Sequence, residues 1–138
     1  MYAREKIFTM SIIAALFQRG IKTLRFNDDW YLHAIENMQH YFHNHRNDYG
    51  SLSSELSILF IKDSNGEYSQ FNKAVENLNA GLLIFDNPFY VCAHIKEDTD
   101  AEAILRENND DIPLEIVNGF VDAFCKGLPS LEELNAVY

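Results

Sequence analysis

Apolar residues recur at helical spacing over much of the chain, and that pattern predicts most of the elements. Ile7 to Phe17 is a nearly continuous apolar run, set between Arg4 and the sequence Gln18-Arg19-Gly20. A helix apolar almost all the way round is the central helix of a core or half of a dimer interface. Residues 4–19 are read as that helix, with Gly20 at its C′ position. The run is far short of the ~20 apolar residues that span a bilayer. No small-x-small cleavage site follows it, so it is not read as a secretory signal. The expectation is a cytoplasmic protein with no membrane association.

Ile21–Phe26 is too short to assign by periodicity, with an extended conformation as the candidate. A second helix is predicted from the polar start Asn27-Asp28-Asp29 to about Arg46, with Tyr31, Ile35, Met38 and Phe42 as its buried stripe. Residues 52–62 are ambiguous between a helix and a buried strand, because a short apolar run fits both. Asp63-Ser-Asn-Gly66 is a turn by composition. From Glu67 to Ala80 a helix is predicted, with Tyr68, Phe71, Ala74, Val75 and Leu78 on one face and Gly81 as its stop. Leu82–Phe85 and Phe89–Ile95, separated by Asp86-Asn-Pro88, give a hairpin signal. Three helical stretches follow. Thr99-x-x-Glu102 is a capping box for the first, which runs to about Asn108. Asp111 and Pro113 open the second, with Val117, Phe120, Val121 and Phe124 inward and Gly127 at C′. Ser130-x-x-Glu133 caps the third, which carries Leu131, Leu134 and Val137. No repeat or linker interrupts the pattern, so residues 1–138 are read as one domain. The predicted class is α+β, mostly helical, with helical flanks around a helix-turn-helix plus β-hairpin unit.

With residues 52–62 taken as helical, the stretch from Phe71 through Ala74, Leu78 and Gly81 to Leu83 resembles the second helix and first wing strand of winged helix-turn-helix domains. The resemblance spans about residues 52–96 and implies a DNA-binding transcriptional regulator. On that reading the base-reading side chains are Gln70, Asn72, Lys73 and Asn77. The flanking helices look like those of dimeric bacterial regulators, which implies a homodimer.

Charge alters this picture. Lys and Arg number 11 against 21 Asp and Glu, giving a formal net charge of −10. DNA binding draws most of its nonspecific affinity from cations on phosphates. The predicted reading helix offers one cation, Lys73, and the predicted wing tip is Asp86-Asn87-Pro88. Arg19, Lys22 and Arg25 form the one basic cluster, outside the module. Eleven acids lie between Glu97 and Glu133, against only Arg106 and Lys126. The preferred function is therefore protein binding, as a regulatory, inhibitor or immunity-type module, with Glu107, Asp110 and Asp111 as candidate contacts. Self-association is expected through the first helix or the C-terminal helices.

Other chemistry is sparse. His33, His40, His43 and His45 crowd one stretch, and His40 and His43 have the i, i+3 spacing of helical metal ligands. Positions 33, 36 and 40 lie opposite the apolar stripe, so a polar helix face is the preferred reading and no metal is assigned. Cys92 and His94 share a strand face, and with Cys125 they fall one ligand short of a metal site. The cysteines read as small hydrophobes. No nucleophile elbow, phosphate-cradling Gly loop or HExxH motif is present, and paired acids such as Asp28-Asp29 sit at helix starts. No enzyme activity and no cofactor are implied.

Overall fold

The computed structural model describes residues 4–78, 83–84 and 92–136. The apolar run folds as α1 (Arg4–Gln18), and residues 7–16 are buried save Met10. Two hydroxyls survive in this dry setting because their own helix satisfies them. Thr9 donates to the Glu5 carbonyl at 2.6 Å and Ser11 to the Ile7 carbonyl at 3.0 Å. Gly20 ends the helix at φ 89°, a left-handed turn that favours glycine. Asn135 clasps this turn from far along the chain. Its oxygen accepts from the Lys22 amide at 2.8 Å, and its nitrogen donates to the Gly20 carbonyl at 2.7 Å.

The segment after Gly20 is extended, as β1 (Thr23–Arg25), and leads into α2 (Asp29–His45). The predicted stripe of Tyr31, Ile35, Met38 and Phe42 is buried. Asp28 stands at the N-cap, but its carboxylate accepts the Trp30 indole N–H at 3.0 Å and caps no backbone amide. The ambiguous segment is helical, as α3 (Leu52–Ser57) and a single 3-10 turn over Ile58–Phe60. Leu52, Leu56, Leu59 and Phe60 turn inward, while Ile58 and Ile61 remain 44% and 58% exposed. That three-to-four spacing of buried residues suits a helix and not an alternating strand.

Asp63 builds the next turn by accepting from the Asn65 and Glu67 amides at 2.8 and 3.0 Å. Helix α4 (Ser69–Glu76) follows, starting two residues later than predicted. Asn79, Ala80, Gly81 and the turn predicted at Asp86–Pro88 lie outside the described residues, as do Phe89 and Val91. Strands β2 (Leu83–Ile84) and β3 (Cys92–Ile95) pair antiparallel. The sequence predicted a two-stranded hairpin, whereas the sheet has three strands in the order β1-β3-β2. β1 joins the free edge of β3, with Thr23 opposite His94 and Leu24 opposite Ala93. Pairing satisfies backbone groups that a two-stranded ribbon would leave open on that edge.

Helix α5 (Ala101–Asn108) is capped by Asp100, whose carboxylate accepts from the Ala103 amide at 3.1 Å. The predicted cap, Thr99, is one residue too early, and its hydroxyl is buried without a hydrogen-bond partner. Likewise α6 (Leu114–Phe124) takes its start from Asn109, not Asp111. The Asn109 oxygen accepts from the Leu114 amide at 2.9 Å. Ser130 does cap α7 (Leu131–Leu134), accepting from Glu133 at 3.2 Å. Leu134 is buried, Leu131 is about half exposed, and Val137 is outside the described residues. α6 packs against both α2 and α1, and α5, α4 and α3 also pack against α1. The described chain is thus mostly helical α+β with one small antiparallel sheet, and α1 spends its apolar surface within the chain.

Candidate functional site

Three surfaces carry the chemistry predicted from sequence. The first is the outer face of α4. Tyr68, Phe71, Val75 and Leu78 seat this helix on the core, so Gln70, Lys73 and Asn77, spaced three and four apart, share the exposed side. Asn72 is different. It is half-buried, and its oxygen accepts from the Tyr31 hydroxyl at 3.1 Å. Tyr31 is wholly buried, and burial, followed by the nearby Glu76 charge, pushes its phenol well above the usual range. Asn72 therefore satisfies a core phenol with its oxygen, which leaves chiefly its amide N–H donors for any ligand.

The second surface is acidic. All eleven acids from Glu97 to Glu133 are exposed, including Glu107, Asp110 and Asp111 on the α5 end and the turn after it. Two of them form ion pairs among the described residues. Asp122 meets Arg19 at 2.7 Å, and Glu102 meets Arg106 at 4.0 Å. The basic cluster predicted from Arg19, Lys22 and Arg25 does not exist as a surface. Arg19 is taken by Asp122, and Arg25 is only 8% exposed on β1. Elsewhere Lys62 pairs with Glu36 at 2.9 Å and lies 5.7 Å from the Tyr68 ring centre. That hydrogen bond raises the Lys62 ammonium and lowers the Glu36 carboxyl, a mutual shift expected of a surface pair. Arg4 reaches Glu55 at 3.6 Å.

The third surface is the later half of α2. His33, His40 and His43 are exposed. Among the described residues no three His, Cys, Asp or Glu side chains are grouped to hold a metal ion, so His40 and His43 remain a pair. His94 is on β3 with its Nδ1 2.9 Å from the Thr23 hydroxyl, and Cys125 is half-buried at the end of α6. Burial pushes the Cys125 thiol up, partly offset by Arg19, which disfavours a reactive thiolate.

Periodicity did not reveal a cavity of about 320 Å³ between α2 and the C-terminal end of α6, lined by Asn37, His40, Tyr41, Asn44, His45 and Lys126. His45 stacks on Tyr41, with ring centres 4.2 Å apart, and its Nδ1 lies 2.9 Å from the Tyr41 carbonyl. A carbonyl only accepts, so Nδ1 carries the proton and Nε2 is left available. The histidine cluster was the only sequence signal for this site. Lys126 comes from far along the chain, fixed there by the Asn37 amide donating to its carbonyl at 3.3 Å. Comparison with known protein families, curated proteins and solved structures found no match for this chain.

Proposed function

We propose that this chain is a protein-binding module, of inhibitor or immunity type, whose acidic surface covers a basic site on its target. The exposure of all eleven acids from Glu97 to Glu133, with two of them in ion pairs among the described residues, is the observation that carries this reading. A field of that sign speeds association with a cationic patch and fades with salt. Glu107, Asp110 and Asp111 are close in sequence on one exposed stretch, so they are the contacts to reverse. Affinity purification from the native host should recover a basic nucleic-acid-binding protein. The combined variant Glu107→Lys, Asp110→Lys and Asp111→Lys should lower its recovery at least about tenfold, and added salt should do the same to the unaltered complex. Recovery indifferent to both changes would count against the proposal.

A second reading, a winged-helix DNA-binding regulator, is favoured by one feature. The side chains of Gln70, Lys73 and Asn77 line one open face of α4, which is followed by the β2–β3 pair. Gln and Asn can read adenine edges, and Lys73 can reach a phosphate. Gel shifts against random genomic fragments at low salt discriminate the two readings. The acidic module should leave DNA unshifted, whereas binding that Lys73→Ala or Asn77→Ala abolishes would establish the regulator instead.

A further inference from the structure

We infer that the cavity between α2 and the end of α6 is a binding site for a tetrahedral oxyanion, either free phosphate or the phosphate group of a small ester. The chain is strongly acidic as a whole, yet among the described residues this cavity is lined by Asn37, His40, Tyr41, Asn44, His45, Ala123 and Lys126 and by no carboxylate. Two acids flank the lining in sequence, and both are held elsewhere. Glu36, next to Asn37, is tied to Lys62 at 2.9 Å, and Asp122, next to Ala123, is tied to Arg19 at 2.7 Å. Lys126 has no ion pair among the described residues and stands exposed at the rim. It supplies the charge that makes a hydrogen bond to an anion strong.

His45 supplies direction. Its Nδ1 proton is committed to the Tyr41 carbonyl, and the Tyr41 ring holds its plane, with 24° between the two rings. Nε2 can then engage phosphate in either protonation state. As neutral imidazole it accepts the O–H of acid phosphate, and as imidazolium it donates to the dianion. The Asn44 amide and the His40 ring offer further donors from adjacent positions on α2. The volume of about 320 Å³ holds a phosphate with room for a small substituent. Two imidazoles without a third protein ligand among the described residues make a poor metal site, which favours the anion.

The test follows the His Cε1–H resonances of the full chain by NMR at pH 7 while inorganic phosphate is added, with sodium chloride at matched ionic strength as control. The expected result is a saturable shift of His40 and His45 that chloride does not reproduce, with His33 and His94 unmoved. Lys126→Ala, an exposed substitution, should weaken the response about tenfold, the loss of one charged hydrogen bond. Asn44→Ala, also exposed, should weaken it less. A titration with a small phosphate monoester separates the two sources, since tighter binding than phosphate places the ester in the site. Equal shifts with chloride, a response unchanged in Lys126→Ala, or a response to zinc ions but none to phosphate would each overturn the inference.

Discussion

Phe120→Ala is expected to remove about 3–5 kcal/mol of folding stability, the range for an aromatic ring deleted from a packed core. Phe120 is fully buried on α6 and is the point where rings from four other segments meet. Its centroid is 4.9 Å from Phe8 of α1, 5.1 Å from Tyr41 of α2, 5.7 Å from Tyr49 and 5.8 Å from Phe60. Phe8 and Tyr41 approach edge-on, the geometry in which ring quadrupoles attract. Because these neighbours belong to different elements, no single shift can close the cavity left by alanine. A loss of this size is a large share of the ~5–15 kcal/mol that holds a domain together. Urea unfolding should show a lower midpoint at unchanged slope. Ile61→Ala, on a mostly exposed side chain, serves as the control and should stay within about 0.5 kcal/mol. A Phe120→Ala loss near that of the control would mean the ring cluster is not the centre of the core.

The elements around this cluster were largely readable because the chain's periodicity is strong. The stripe of α2 and the inward side chains of α6 are where helical spacing puts them. What periodicity could not read was competition among neighbouring polar groups. Thr99 and Asp100 are both plausible caps, and the carboxylate one residue nearer the helix takes the amide. Asp28 has the cap position, but the Trp30 indole claims its side chain. A local rule cannot rank such choices, since the outcome depends on which donor lies closest after folding. β1 shows the same limit at longer range. Three residues carry too little pattern to announce a strand, and it is the exposed edge of β3 that makes them one.

The candidate surfaces divide along similar lines. Exposure of Gln70, Lys73 and Asn77 follows from a helix whose other face is apolar, and that of the acids from their charge on helix faces and turns, so these were legible. Asn72 looked equally available, but a buried phenol on α2 needed an acceptor and found it there. The apparent basic cluster dissolved because Arg19 and Arg25 are neighbours only in sequence. One points to Asp122 and the other is buried on a strand. The α2–α6 cavity joins residues of the second helix to Lys126, a pairing that no local window contains.

Gly119→Ala is expected to destabilise the protein by about 2 kcal/mol, even though alanine is the better helix former by about 1 kcal/mol. Gly119 lies in α6 where that helix crosses α2, and a Cβ there would run into the Tyr41 hydroxyl oxygen and meet its Cζ at 2.5 Å. Neither contact is tolerable, so the ring would have to leave. It is held between the stacked His45 and the edge contact with Phe120, and its hydroxyl lies near that of Tyr49, though short of hydrogen-bond geometry. Burial, ahead of the Tyr41 hydroxyl, pushes the Tyr49 phenol up, so that group stays protonated near neutral pH and offers no charge to relieve the crowding. A double-mutant cycle makes the claim specific. In a Tyr41→Ala background the obstruction is gone, and Gly119→Ala should become neutral or stabilising by up to about 1 kcal/mol. Tyr41→Phe should relieve the clash only in part, because it removes the oxygen and leaves Cζ. The sign change between backgrounds is the decisive reading. Stabilisation by Gly119→Ala in the otherwise unaltered chain would mean that α2 and α6 stand further apart. Because the same Tyr41 ring and carbonyl orient His45, Gly119→Ala should also blunt the His45 response to phosphate while leaving Lys126 in place. One substitution then reports on both the helix crossing and the cavity beside it.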